Sequence, residues 1–290
     1  MNNTLLYIVT VLIWGSTWLA IEYQLGVVEP EVSIVYRYLI ASGVLFIWCK
    51  IKGLSLSFKV KDHIFFVLLG LLLFCLNYIF AYRAQIHITS AMAAIAFSMM
   101  LWINIVLSRF IFGTRATGRV LFGAALGIVG IVVLFAPQVG ALSLSDSVFF
   151  GSLLALAGAL TASCGNMVSQ AAQKRSLPVM ETNTWSMFYG AVLTFIVALV
   201  SGHEFNFDAT FTYIASLTYL AIFGSVIAFG AYLTLLGRIG AHKAGYATVM
   251  FPVVALFLSF AFEGLKPDLA IVIGATLVLL GNSLVLKKDA

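Results

Sequence analysis

The chain has 290 residues, 62% of them hydrophobic and only 9% charged, with a mean hydropathy of +1.08. A soluble domain of that length has too little interior to hide so much apolar surface, so its solvent is a bilayer. Three dispersed cysteines (Cys49, Cys75, Cys164) and four scattered histidines offer no disulfide framework and no metal-ligand spacing.

Apolar runs long enough to cross about 30 Å of hydrocarbon as helix lie near 4–22, 32–50, 64–82, 90–112, 118–136, 148–171, 181–201, 211–235, 244–262 and 270–286. The first has no basic n-region and no evident cleavage site, and nine more follow, so it is expected to be a retained helix and not a signal peptide. It runs into "IWGSTWLAIEYQLGVVEP", Ile13 to Pro30, whose tryptophans, Gly-Ser-Thr cluster and glutamate are unusual for a lipid-facing segment. The reading is an all-α integral membrane protein with ten transmembrane helices.

The basic residues orient it. With the N-terminus inside, thirteen of the sixteen lysines and arginines fall on inner segments: Lys50, Lys52, Lys59, Lys61, Arg109, Arg115, Arg119, Lys174, Arg175, Arg238, Lys243, Lys287 and Lys288. Only Arg83 and Lys266 fall outside, and Arg37 lies within a span. The positive-inside rule therefore predicts both termini inside. The net charge of +5 belongs to this topology and to anionic lipid, with no nucleic-acid partner.

The halves resemble each other. "AYRAQIHITSAMAAIAFSMMLWINIVLSRFIFG" aligns with "AYLTLLGRIGAHKAGYATVMFPVVALFLSFAFEG" at an offset near 150, and "GAALGIVG" (123–130) with "GATLVLLG" (274–281). Pro30 corresponds to Pro178. Residues 1–136 and 148–290 thus read as two five-helix repeats. An odd number of spans per half makes the repeats inverted, the plan of secondary transporters with a site at midplane between the halves.

The residues that carry a family resemblance now stand together: "WGSTWLAIE" (Trp14–Glu22) in the first span, Pro30 in the following loop, Arg37 within "YRYLIASGVLF", and Pro252, Glu263, Gly274 and Gly281 toward the end. The chain resembles the EamA family of the drug/metabolite transporter superfamily. The first half departs from the pattern at Trp102, where a proline is expected, and at Gly113, where a glutamate is expected. The resemblance implies a ten-helix, N-in/C-in export carrier of small metabolites, often amino acids, in the bacterial inner membrane, with the pore on spans 1, 3, 4, 6, 8 and 9.

Helical spacing marks polar or aromatic faces on those same spans: Trp14, Trp18 and Glu22; Asn77, Tyr78 and Tyr82; Ser98 and Trp102; Asn166 and Gln170; Ser225 and Tyr232; Thr248 and Pro252. The substrate-binding set expected from them is Trp14, Trp18, Asn77, Tyr78, Tyr82, Ser98, Trp102, Asn166, Tyr232 and Thr248. Glycines and small residues such as Gly15 and Ser16 read instead as packing positions. Pro252 cannot donate to the carbonyl of Thr248 and predicts a kink that could act as a gate hinge. Glu22 and Arg37, toward the outer ends of their spans, are expected to pair, as a structural couple or an outer gate.

All eleven acidic residues lie away from span centres, which disfavours proton antiport through a mid-membrane carboxylate. No G-x-x-x-x-G-K-[ST] motif or soluble domain is present to power an ATP-driven pump. The expectation is a monomeric, facilitator-like carrier for a neutral or zwitterionic solute with an apolar portion, requiring no cofactor or metal. A multidrug or other metabolite exporter is the alternative within the class. A receptor, a scaffold, or an intramembrane enzyme built on Ser225 and His242 is the alternative outside it.

Overall fold

The computed structural model describes residues 1–140, 146–254 and 269–286, and among these all regular secondary structure is helical. Glu263, Lys266, Asp268, Lys287, Lys288 and the later part of the ninth expected span lie outside the described residues. The helices are α1 (Asn3–Glu22), α2 (Pro30–Ile51), α3 (Val60–Gln85), α4 (Ser90–Ser98, resuming after Met99 as Met100–Phe112) and α5 (Gly118–Gly140). They continue as α6 (Asp146–Lys174), α7 (Val179–Val200), α8 (Phe211–Ile239), α9 (Ala241–Ala244, passing into the 3₁₀ segment Gly245–Met250) and α10 (Leu269–Leu286). Seven described helices (α1–α4 and α6–α8) are long and apolar enough to cross a bilayer. Shorter apolar stretches occupy 118–133 and 272–285.

Local chemistry sets several starts. The Asn2 side chain accepts from Leu5 N–H, Thr89 from Met92 N–H and Thr210 from Tyr213 N–H, each satisfying an orphan donor of a first turn. Pro30 begins α2 at a position that needs no N–H, and Pro178 is the residue before α7. Between α8 and α9 the chain turns at Gly240, φ +82°, a left-handed backbone that favours glycine. The Gln170 side chain accepts the Ala241 N–H there, at 2.9 Å. Large apolar groups such as Trp48, Phe110, Phe122 and Phe149 are exposed, as a lipid-facing surface requires.

Two features repeat along the chain. α3 widens into a π segment at Gly70–Leu76, and α8 does the same at Leu220–Ile227, starting 150 residues later. The packing partners follow the same rule. α5 lies along α10 and α2 along α7; α3 packs on α6 and α7, as α8 packs on α1 and α2.

The α5–α10 contact is made by glycines. A Cβ on Gly123 would stand 2.8 Å from the Gly281 carbonyl oxygen, and one on Gly130 2.7 Å from that of Gly274. Only glycine permits backbones this close. The four residues that the sequence set apart by their seven-residue spacing are therefore packing positions.

Helix directions follow from side-chain contacts. Gln85, at the end of α3, donates to the Trp18 carbonyl, and Ser90 donates to Glu22. α3 thus ends where α1 ends. Arg238, at the end of α8, donates to the Met1 carbonyl and to Asn3 Oδ1. A helix of twenty residues separates those two levels by about 30 Å, so α3 and α8 run in opposite directions.

Candidate functional site

A cavity of about 60 Å³ lies where six helices meet. α1 supplies Trp14, Thr17, Trp18 and Ile21; α3 supplies Leu73, Asn77, Tyr78 and Ala81; α4 supplies Phe97 and Met100. α6 adds Ala162 and Asn166, α8 adds Phe229 and Tyr232, and Phe251 closes the ring just after the 3₁₀ segment of α9. These are the six spans whose polar faces the sequence singled out. Of the ten expected binding residues, Trp14, Trp18, Asn77, Tyr78, Asn166 and Tyr232 are in the wall.

Seven of the fifteen lining residues are aromatic. Trp14 packs against Phe229 at 4.7 Å, Tyr232 at 4.9 Å and Phe251 at 5.8 Å between ring centroids, and Trp18 against Phe97 at 4.9 Å. Trp14 Nε1 donates to the Gly224 carbonyl inside the π segment of α8, at 3.0 Å. The widened turn thereby presents a backbone acceptor to a side chain of the facing helix.

Polar groups are few, and two of them are only half used. Asn166 Nδ2 donates to the Tyr232 hydroxyl at 3.0 Å and to Asn104 Oδ1 at 3.4 Å, while its own Oδ1 has no partner. Asn77 Nδ2 donates to the Leu73 carbonyl, and its Oδ1 is also unpartnered. A buried acceptor left unpaired costs roughly 1–3 kcal/mol.

Four expected residues stand outside the wall. Tyr82 is one turn beyond Tyr78, toward the end of α3, and its hydroxyl donates to Gln24. Ser98 donates to the Ile95 carbonyl, turned about 100° from the lining residue Phe97. Trp102 is partly buried and packs against the core. Thr248 is buried with its hydroxyl on the Gly245 carbonyl. The carbonyl that Pro252 was expected to leave free is engaged as well. The Thr248 carbonyl, which Pro252 cannot serve, accepts the Phe251 N–H instead, in the tighter register of the 3₁₀ segment. It is not free for cargo.

The Glu22–Arg37 pair is corrected as well. Glu22 is exposed and accepts from Ser90, so it ties α1 to α4. Arg37 lies seven residues into α2, about 10 Å deeper than its first residue, and is fully buried. Its Nε donates to Ser225 Oγ at 2.9 Å and its Nη2 to the Tyr78 hydroxyl at 3.3 Å; the guanidinium also sits 4.3 Å from the Tyr78 ring centroid. Among the described residues no carboxylate pairs with it.

The ion pair at this end is elsewhere. Arg83 grips Glu31 with two bonds of 2.9 and 2.7 Å, touches Glu29 at 3.3 Å, and lies 3.2 Å from His203 Nε2 in the α7–α8 connection. Glu29, Glu31 and His203 are close enough together to hold a cation, but the guanidinium already occupies both carboxylates. Replacing Glu31 by glutamine removes the charge while keeping the shape. A cysteine placed at Gln24, buried beside Tyr82, is expected to react several-fold faster with an impermeant maleimide in the Glu31→Gln background. An unchanged labelling rate would count against a closing role for this pair.

The model of the EamA-like transporter family matches residues 2–136 and again 149–287. The chain belongs to that family. Three full-length bacterial relatives are similar to this EamA-like chain. An uncharacterized transporter of Bacillus subtilis, YoaV, is 25% identical over 97% of the chain and 96% of its own length. A probable amino-acid metabolite efflux pump of Escherichia coli is 25% identical over 97% and 93%. An uncharacterized inner membrane transporter of the same species, YedA, is 26% identical over 87% and 80%. A protein crystal structure superimposes with a TM-score of 0.77 over 98% of this chain and 96% of that one; at 20% identity the likeness speaks for the fold alone. With its long apolar helices, the EamA-like chain is a multi-pass membrane transporter.

Proposed function

We propose that this EamA-like protein is a secondary carrier that exports a small neutral or zwitterionic solute, amino-acid-like in its chemistry, by alternating access. The observation that carries the reading is the cavity itself: an aromatic wall with two unpaired amide oxygens and no carboxylate among its lining residues. Apolar faces suit a side chain, and amide oxygens suit an ammonium. One relative's name as an amino-acid metabolite efflux pump supports the same substrate class and direction.

Alternating access between inverted five-helix halves, 1–136 and 148–290, with both termini inside, is supported by several features. The family match occurs twice, the π segments start 150 residues apart, and α3 and α8 run oppositely. A 60 Å³ cavity is well below the roughly 300 Å³ of an ordinary ligand pocket, so the conformation is a closed one and loading requires the helices to part.

An enzyme built on Ser225 finds no support in its surroundings. Its hydroxyl donates to the Leu220 carbonyl and accepts from Arg37, with no base among these partners. The buried acids Glu31 and Glu181 both sit in first turns of helices, which favours a facilitator over a proton antiporter.

The test is counterflow in liposomes containing the purified protein, screened over amino acids, purines and cationic dyes. Saturable exchange of an amino acid that persists when the pH gradient is collapsed is the expected result. Exchange of dyes alone would shift the reading to a multidrug exporter, and exchange of no solute would refute the carrier.

A further inference from the structure

Arg37 has more hydrogen-bonding capacity than its surroundings use. It is fully buried, and its Nη1 has no partner. Among the described residues Tyr38, Tyr78, Tyr82 and Ser225 stand around it, all neutral. The Tyr38 hydroxyl, buried beside it, is unpartnered too. A cation held this way in a membrane interior, with neutral groups for neighbours, is one whose counter-charge arrives from elsewhere.

The guanidinium is one side chain away from the cavity. Tyr78 belongs to both: its ring lines the cavity, and its hydroxyl accepts from Arg37 Nη2. Gly224 marks a second point of approach. A Cβ there would lie 3.1 Å from Arg37 Nη2 and 3.0 Å from Cγ2 of the lining residue Thr17, and the Gly224 carbonyl already holds Trp14. The wall between cargo space and cation is therefore a tyrosine ring and a glycine, with no bulky side chain at Gly224.

We infer that Arg37 is the carboxylate subsite of the cavity, with Tyr78 as the movable screen between them. The inference rests on the proposed carrier function and narrows its substrate class to solutes bearing one carboxylate. A guanidinium binds a carboxylate through two parallel N–H bonds. Nη1 is free for one of them, and Nη2 becomes available when the long Tyr78 bond is released. A phosphate monoester brings nearly two negative charges, more than this single cation balances. The cavity would then offer two kinds of group: the asparagines Asn77 and Asn166 for an ammonium, and Arg37 for the carboxylate. The proton antiport that the sequence disfavours is not needed, because the mobile charge that compensates Arg37 is on the cargo.

The test separates this inference from the carrier reading by measuring binding as well as flux. Trp14 and Trp18 line the cavity, so their fluorescence can follow titration of the detergent-purified protein with phenylalanine, phenylalaninamide and phenethylamine. Phenylalanine is expected to bind at least tenfold more tightly than its amide or its decarboxylated amine. Arg37→Gln should bring the three within about twofold of one another, and Arg37→Lys should keep part of the difference. Tyr78→Phe, which frees Nη2, should preserve the preference for the carboxylate.

Equal binding of the acid and its amide by the native protein, binding of no probe, or a preference surviving in Arg37→Gln would overturn the inference. If Arg37→Gln does not fold, the native comparison and Tyr78→Phe decide the matter. Carboxylate-selective binding without counterflow would instead refute the carrier reading and leave the subsite standing.

Discussion

Replacing Gly281 by leucine should remove most folded protein from detergent extracts, with the survivors melting at least 10 °C lower. A Cβ at this position would stand 2.5 Å from the Gly123 carbonyl oxygen and 2.9 Å from the Gly127 nitrogen. Both obstacles are backbone, so neither can rotate aside. Inserting one methylene into a packed interior costs about 1–3 kcal/mol, and leucine adds four carbons against a helix that cannot retreat without losing its other glycine contacts. The Gly130–Gly274 contact lies two turns further along the same pair and would open with it. Size-exclusion profiles and thermal melts of Gly281→Ala and Gly281→Leu, side by side, check this. A leucine variant as stable as the native protein would show that α5 and α10 are not held at backbone distance.

The second large effect is expected at Trp14. Trp14→Ala takes away a ring that touches Phe229, Tyr232 and Phe251, and removes the hydrogen bond to the Gly224 carbonyl. Truncating a buried tryptophan costs about 3–5 kcal/mol, so loss of transport in this variant would be hard to separate from loss of fold. Trp14→Phe makes the distinction. It keeps most of the aromatic contact and loses the indole N–H bond, at a cost of roughly 0.5–1.5 kcal/mol. The folded Trp14→Phe protein is expected to lose at least tenfold in counterflow rate, because the anchored ring both shapes the cavity and ties α1 to the π segment of α8. A rate within twofold of native would reduce Trp14 to filler.

Much of this arrangement was legible in the sequence, because hydropathy and helical periodicity act over whole spans. They marked the spans, the six helices that converge, and Trp14, Trp18, Asn77, Tyr78, Asn166 and Tyr232 among the lining residues. Depth along a helix was less legible than face. Tyr82 shares a face with Tyr78 but lies about 6 Å further along, where it meets Gln24 instead of the cavity. Glu22 and Arg37 were drawn together by nearness to the same membrane surface, and spacing along one helix does not tell that the guanidinium turns to Ser225 and Tyr78 on neighbouring helices.

The phenylalanines of the wall, Phe97, Phe229 and Phe251, are chemically the same as the many that face lipid. Only the three-residue interval between Phe229 and Tyr232 hinted at one of them. The π segments left no compositional mark, since Gly70–Leu76 and Leu220–Ile227 read as ordinary apolar helix. The 3₁₀ register after Gly245 likewise hid the fate of the Thr248 carbonyl.

The size of the central cavity has a consequence for the cell as an electrical insulator. A water needs about 10–15 Å³ of the space open to its centre, so a cavity of about 60 Å³ admits a handful. A handful of waters spans only part of the ~30 Å of hydrocarbon, and the rings of Trp14, Trp18, Phe97, Phe229 and Phe251 bound them on several sides. The central cavity by itself therefore holds no file of water across the membrane. In this conformation that space alone is no leak for the ion gradients an energised membrane must keep.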